Sequence, residues 1–191
     1  MSQSMPISAA DVVAAYIEAK DRTHLQLLGR VFVEGDCEIE YADKTHLVSL
    51  PSSSRGLEQI AQMLATFGGQ YENIRTFCLS RPDSNYLPHF RCDFLVGMNA
   101  RQDGTVRVGV GQYGWHFGSD DDSRVKKLVI VLELMCVLPA SESVPIEQWL
   151  AALPYPWCSN IQACESIPAI DALRPVKRFL APIEKDQAAT V

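Results

Sequence analysis

Residues 12–41 read VVAAYIEAKDRTHLQLLGRVFVEGDCEIEY, and how this stretch divides decides the fold. Just upstream, Ser8 with Asp11 predicts a capping box, and Ile7 is placed to staple onto Val12. Apolar residues at 12, 13, 16 and 17 then share one helical face. Asp21-Arg22 interrupts the run. Thr23 with Gln26 predicts a second capping box, opening a helix that turns Leu27, Leu28, Val31 and Phe32 inward until Gly35 ends it. The period then changes. Cys37, Ile39 and Tyr41 fall on one face and Glu38 and Glu40 on the other, the alternation of a half-buried strand. On that pattern Asp36, Glu38 and Glu40 are most simply solvated.

Outward from this opening, HLVSLPSSSRG is a loop. A third helix is predicted over roughly residues 54–67, burying Leu57, Ile60, Leu64 and Phe67, with Gly68-Gly69 as its stop. Four extended segments follow: YENIRTFCLS, HFRCDFLVGMNAR, TVRVGVGQYGWHF and RVKKLVIVLELMCVL. QDG is a hairpin-type turn and GSDDDS a polar one. The order α-α-β-α-β-β-β-β reads as α+β, with helices on one face of an antiparallel sheet. Pro139 closes that body, so residues 1–139 form one domain. Residues 140–191 form a Pro-rich extension with helical hints at PIEQWLAAL and PAIDALR but no clear core of its own. It is expected to wrap the body or a partner subunit, with EKDQAATV loose at its end.

The chain has 191 residues, 47% hydrophobic and 21% charged, with a net charge of −6. Such a chain can bury a core without staples. An acidic protein with no basic cluster is a poor nucleic-acid binder. MSQSMPISAAD reads as no secretory signal, and LVIVLELMCVL is too short to span a bilayer, so a soluble, cytoplasmic protein is expected. Most of the six cysteines lie in apolar strand-like runs, with no C-x-x-C pair; Cys158 and Cys164 could pair only if oxidised. The four histidines have no metal-ligand spacing, there is no phosphate loop or nucleophile elbow, and no cofactor or metal is expected.

The segment at 12–41, together with SRGLEQIAQMLATF, GWHF and RVKKLVIVLEL, resembles the nuclear-transport-factor-two-like superfamily over roughly residues 8–138. That family includes ketosteroid isomerase, scytalone dehydratase, limonene epoxide hydrolase and the SnoaL-like cyclases. The resemblance implies a cone-shaped, curved antiparallel sheet with three N-terminal helices over its concave face, a small-molecule pocket inside the cone, and a homodimer formed through the outer sheet face. It places the steroid isomerase tyrosine on Tyr16 and the base on Glu40, or on Tyr41 if the strand carries one extra residue. The protonated Asp of that mechanism falls on Trp115, whose indole N–H donates but cannot titrate. The steroid isomerase mechanism is therefore not implied as such.

Each candidate group has a plain alternative. Tyr16 is a core phenol bonded to a backbone carbonyl, or a donor aimed into the pocket. Asp93 shares a strand face with His89, Arg91 and Leu95. That face is either solvated, with a weak Arg91–Asp93 pair, or concave, making Asp93 and His89 an acid–base pair. Trp115 and His116 face opposite sides, so only one lines the pocket. Tyr113, Trp115 and Phe117 form an aromatic stripe suited to core or subunit interface. Glu133 interrupts an apolar strand, so it meets a cation, sits in the pocket with a raised pKa, or is exposed.

These readings combine into a pocket protein for a small apolar molecule. Tyr16 orients a ligand oxygen, and Glu40, Asp93 or Glu133 moves a proton in a cofactor-free isomerisation, dehydration or cyclisation. Tyr41, Phe67 and His89, with either Trp115 or His116, are the candidates to line the pocket. The other reading is a non-catalytic ligand binder or dimeric scaffold of the same fold. Alternation favours Tyr41 over Glu40 as the residue that enters the cone, unless the strand bulges between Ile39 and Tyr41.

Overall fold

The computed structural model describes residues 8–118 and 122–182. The Ile7 staple, part of GSDDDS and the segment EKDQAATV lie outside the described residues. Helix α1 spans Ala9–Asp21, and its predicted capping box forms: Ser8 Oγ accepts from the Asp11 amide at 3.1 Å, and the Ser8 amide donates to the Asp11 carboxylate at 3.2 Å.

The second helix is not the one expected. Thr23 takes a left-handed φ of 55°, and a 3-10 turn at Leu25–Leu27, with no side-chain cap, runs into one helical turn, α2 (Leu28–Val31). Thr23 packs on the third helix: its hydroxyl lies 2.6 Å from where a Cβ at Gly68 would sit. The same contact explains why Gly68-Gly69 is no helix stop. Helix α3 runs Gly56–Gln70, and a glycine within it makes room for Thr23.

The strands are β1 (Glu38–Asp43), β2 (Ser53–Arg55), β3 (Tyr71–Cys78), β4 (His89–Ala100), β5 (Val106–Phe117) and β6 (Val125–Leu138). They form one curved sheet in the order β2-β1-β6-β5-β4-β3. It is mixed rather than antiparallel: β6, the last strand of the β3–β6 meander, reaches β1 running in the same sense, and the two pair in parallel. Helices α1 and α3 cover one face, where Ile39, Phe94, Val96, Tyr113, Trp115 and Leu128 are buried. We call this the inner face.

The extension packs on the outer face. It contains α4 (Ser143–Ala152), α5 (Asn160–Glu165) and α6 (Arg174–Leu180). Ile146, Trp149, Leu150, Val176 and Leu180 are buried with Leu95, Val106, Val108, Val110 and Leu138 of the sheet. The segment lacks a core on its own because the sheet supplies the other half. Each such buried side chain contributes up to about 1.5–3 kcal/mol. Backbone bonds stitch the extension to the end of β3: the Cys78 amide donates to Pro156 O at 2.8 Å, and the Cys158 amide to Cys78 O at 3.1 Å. Cys158 and Cys164 are free thiols. No helix among the described residues is long and apolar enough to cross a membrane.

Candidate functional site

The inner face and its helices enclose a cavity of about 60 Å³. Tyr16 and Lys20 reach it from α1, one helical turn apart on one face. Helix α3 adds Met63, Leu64 and Phe67, β1 adds Tyr41, and β4–β6 add Phe94, Val96, Met98, Tyr113, Ile130, Leu132 and Met135. The loop between β1 and β2 contributes Val48 and Leu50. That loop is tied down by Arg107, which donates to Leu47 O at 2.9 Å, and by the Asp43 carboxylate, which accepts from the Val48 amide at 2.9 Å.

The polar groups in this apolar space come from a few side chains. Tyr16 is fully buried, and its hydroxyl has no hydrogen-bond partner among the described residues. Burial, reinforced by the Asp21 carboxylate, pushes its pKa up and keeps it a neutral donor. Burial also raises the Tyr113 hydroxyl, with Tyr16, Cys78 and Asp21 adding to the effect. The Lys20 ammonium is held by Asp21 Oδ1 at 2.7 Å and Thr76 Oγ1 at 2.6 Å, and lies 5.2 Å from the centre of the Phe67 ring. With two of its three N–H bonds engaged, Lys20 meets the cavity as half of a buried ion pair.

The structure divides the residues singled out from sequence. Tyr16, Tyr41 and Phe67 line the cavity. The β1 register runs unbroken from Glu38 to Asp43, so no bulge intervenes: Tyr41 enters, and Glu40 points outward to Lys127 at 2.6 Å. Trp115 is buried behind the cavity with its ring against Tyr16, and Tyr113 and Phe117 lie in the same inner core, so the aromatic stripe is not on the outer surface.

The expectation that His89, His116 and Asp93 reach the cone is corrected. On β4 the inner face carries Cys92, Phe94 and Val96, so alternation turns His89 and Asp93 outward with Leu95. On β5 the inner residues Tyr113, Trp115 and Phe117 turn His116 outward, where its ring meets His89 at 4.7 Å. Glu133 is also outside the cavity. The β5–β6 register skips it at a bulge, Val110 facing Leu134 and Gly111 facing Leu132, and both its carboxylate oxygens bind Lys44, at 2.7 and 2.8 Å. None of the three expected proton-moving carboxylates lines the cavity.

Sequence reasoning missed Lys20, Asp21 and Thr76. Lys20 follows Tyr16 by one helical turn, a signal that was available. Asp21 looked only like a helix terminator, and Thr76 enters from β3.

No family model and no curated protein matches the chain by sequence. Solved structures match it by fold. A nuclear transport factor 2 (NTF2-like) superfamily protein from Salmonella enterica aligns at TM-score 0.52 and 15% identity, covering 65% of this chain and 88% of that one. A hexachlorocyclohexane dehydrochlorinase (LinA) Type2 aligns at TM-score 0.54 and 12% identity over 67% and 84%. A computationally designed 17-OHP binder aligns at TM-score 0.55 and 14% identity over 68% and 98%. The fold is that of the nuclear-transport-factor-two-like superfamily.

Proposed function

We propose that this protein binds a small, largely apolar molecule inside the cone through one neutral acceptor oxygen, such as a ketone carbonyl. The observation that carries this reading is the Tyr16 hydroxyl, buried, without a hydrogen-bond partner among the described residues, and on the cavity wall. A buried donor without an acceptor costs about 1–3 kcal/mol, and a ligand oxygen removes that cost. A cavity of 60 Å³ suits a ligand of few heavy atoms, well below typical drug-sized sites of about 300–1,000 Å³. Lys20, the charged side chain in the lining, is paired with Asp21 at 2.7 Å, so the cavity wall presents a neutral pair and favours an uncharged ligand. Proteins of similar fold include a computationally designed 17-OHP binder and a hexachlorocyclohexane dehydrochlorinase. Here the lining lacks a carboxylate among the described residues, so binding is the better supported role than carboxylate-driven turnover. NMR titration with acetone tests it: shifts confined to Tyr16, Phe94 and Tyr113 support the reading, and shifts elsewhere or none refute it.

The homodimer reading rests on the part of the outer face left free by the extension. There a groove of about 430 Å³ holds Ser80, Arg91, Asp93, Gln112, His116 and Val131. Arg91 and Asp93 on one patch make it self-complementary about a two-fold axis. Sedimentation of a dimer that Arg91→Glu dissociates supports this, and a wild-type monomer refutes it.

A further inference from the structure

Asp21, at the end of α1, is the hub of a buried network running from the cone to the C-terminal extension. Its side chain is 2% exposed and that of Lys20 is 8%. Oδ1 accepts from Lys20 Nζ at 2.7 Å and from Thr76 Oγ1 at 2.8 Å. Oδ2 accepts from the Thr76 amide at 2.7 Å and from the Tyr155 hydroxyl at 3.1 Å. A carboxylate offers about four acceptor sites, so Asp21 is saturated. Three of its donors come from Lys20 and Thr76, in α1 and β3. The fourth comes from the extension.

Tyr155 is placed for this task. Its ring meets Phe77 edge to face at 5.8 Å and lies 5.5 Å from the Arg75 guanidinium carbon. The bonds between Cys78 and residues 156 and 158 anchor the chain just beyond it. Removing the Tyr155 donor leaves a buried acceptor site of Asp21 unfilled, a cost that favours a shift of the carboxylate toward another donor, and a shift of Asp21 changes the charge that Lys20 presents to the cavity.

We infer that Tyr155 is a specificity-determining residue of the cone: from the extension it holds Asp21 on Lys20, so the site presents a neutral pair and selects an uncharged carbonyl over a carboxylate. This rests on the binding reading above. If Asp21 lets go, the Lys20 ammonium becomes available to an anionic ligand, and discrimination against carboxylates falls.

Tyr155→Phe keeps the ring in its clamp and removes only the hydroxyl. By NMR titration, the wild type is expected to bind acetone about tenfold or more tighter than its near-isostere acetate, because burying an uncompensated charge is costly. Tyr155→Phe narrows that ratio severalfold. A ratio unchanged by the substitution, or both affinities lowered equally, overturns the proposal. The second arm needs no ligand. The heteronuclear NMR signal of the Lys20 ammonium is protected from solvent exchange in the wild type and exchanges severalfold faster in Tyr155→Phe. Unchanged exchange overturns the role of Tyr155. If the wild type binds neither compound, the binding reading fails, and the exchange rates alone decide whether Tyr155 holds the pair.

Discussion

Tyr16 packs edge-on against Trp115 with ring centroids 5.3 Å apart, and neither the Tyr16 hydroxyl nor the Trp115 indole N–H has a hydrogen-bond partner among the described residues. Two orphaned donors side by side in a core are a stability cost that local packing does not recover. Local rules are broken mostly where function requires it. Tyr16→Phe is therefore expected to leave the unfolding free energy unchanged or raise it by up to about 1 kcal/mol. Urea unfolding measures this, and a loss beyond about 2 kcal/mol would show that the hydroxyl is satisfied in the folded chain.

Glu133 binds Lys44 where the lysine side chain is 59% exposed. Exposed pairs contribute about 0–1 kcal/mol. Glu133→Gln should lower stability by less than about 1 kcal/mol and leave ligand affinity unchanged. A large drop in affinity on titration would return Glu133 to the site.

Gly111 stands at the β5–β6 bulge. A Cβ there would meet the Val131 carbonyl oxygen and the Phe94 ring. The backbone oxygen cannot swing aside as a side-chain end can, and Phe94 lines the cavity. Gly111→Ala should cost about 2 kcal/mol or more by overpacking, read from denaturant midpoints, and should weaken ligand binding through Phe94.

On the outer face, burial lowers the His116 pKa below its ordinary 6.5, and His89, Lys127 and Arg91 push it the same way against Glu40. The unfolded chain then binds more protons than the folded chain as pH falls below about 6.5. The stability this histidine contributes is present above that pH and lost on acidification through the lower folded-state value. His116→Gln should flatten the dependence of Tm on pH between about 5 and 7. A separate loss belongs further down, where the Ser8 hydrogen bonds hold Asp11 below its usual 3.8. Equal slopes for wild type and His116→Gln would remove His116 as the cause.

The local signals were legible and the distant ones were not. Ser8 and Asp11 form a capping box from adjacent sequence alone. Thr23 and Gln26 carry the same pattern without forming one, because Thr23 turns to pack on Gly68 of α3, a contact between residues far apart in the chain. Alternation placed Ile39 and Tyr41 inside and Glu40 outside. It also paired His89 with Asp93 on β4, but it could not say which face was concave while the extension's contribution to the outer core was unknown. The bulge at Glu133 explains why β6 looked apolar on both faces: the inner set steps from Leu132 to Met135 across it, while Leu134, Cys136 and Leu138 fall on the outside. The Lys20–Asp21–Thr76–Tyr155 network joins three separated segments, so no short pattern encodes it.

On the proposed function, the Tyr16 hydroxyl meets a ligand oxygen in the cavity. The Kd for acetone, measured on wild type and Tyr16→Phe under the same conditions, tests this directly. The variant should bind about tenfold more weakly, the loss of one hydrogen bond, with folding stability no lower. Equal Kd values for the two proteins would contradict it.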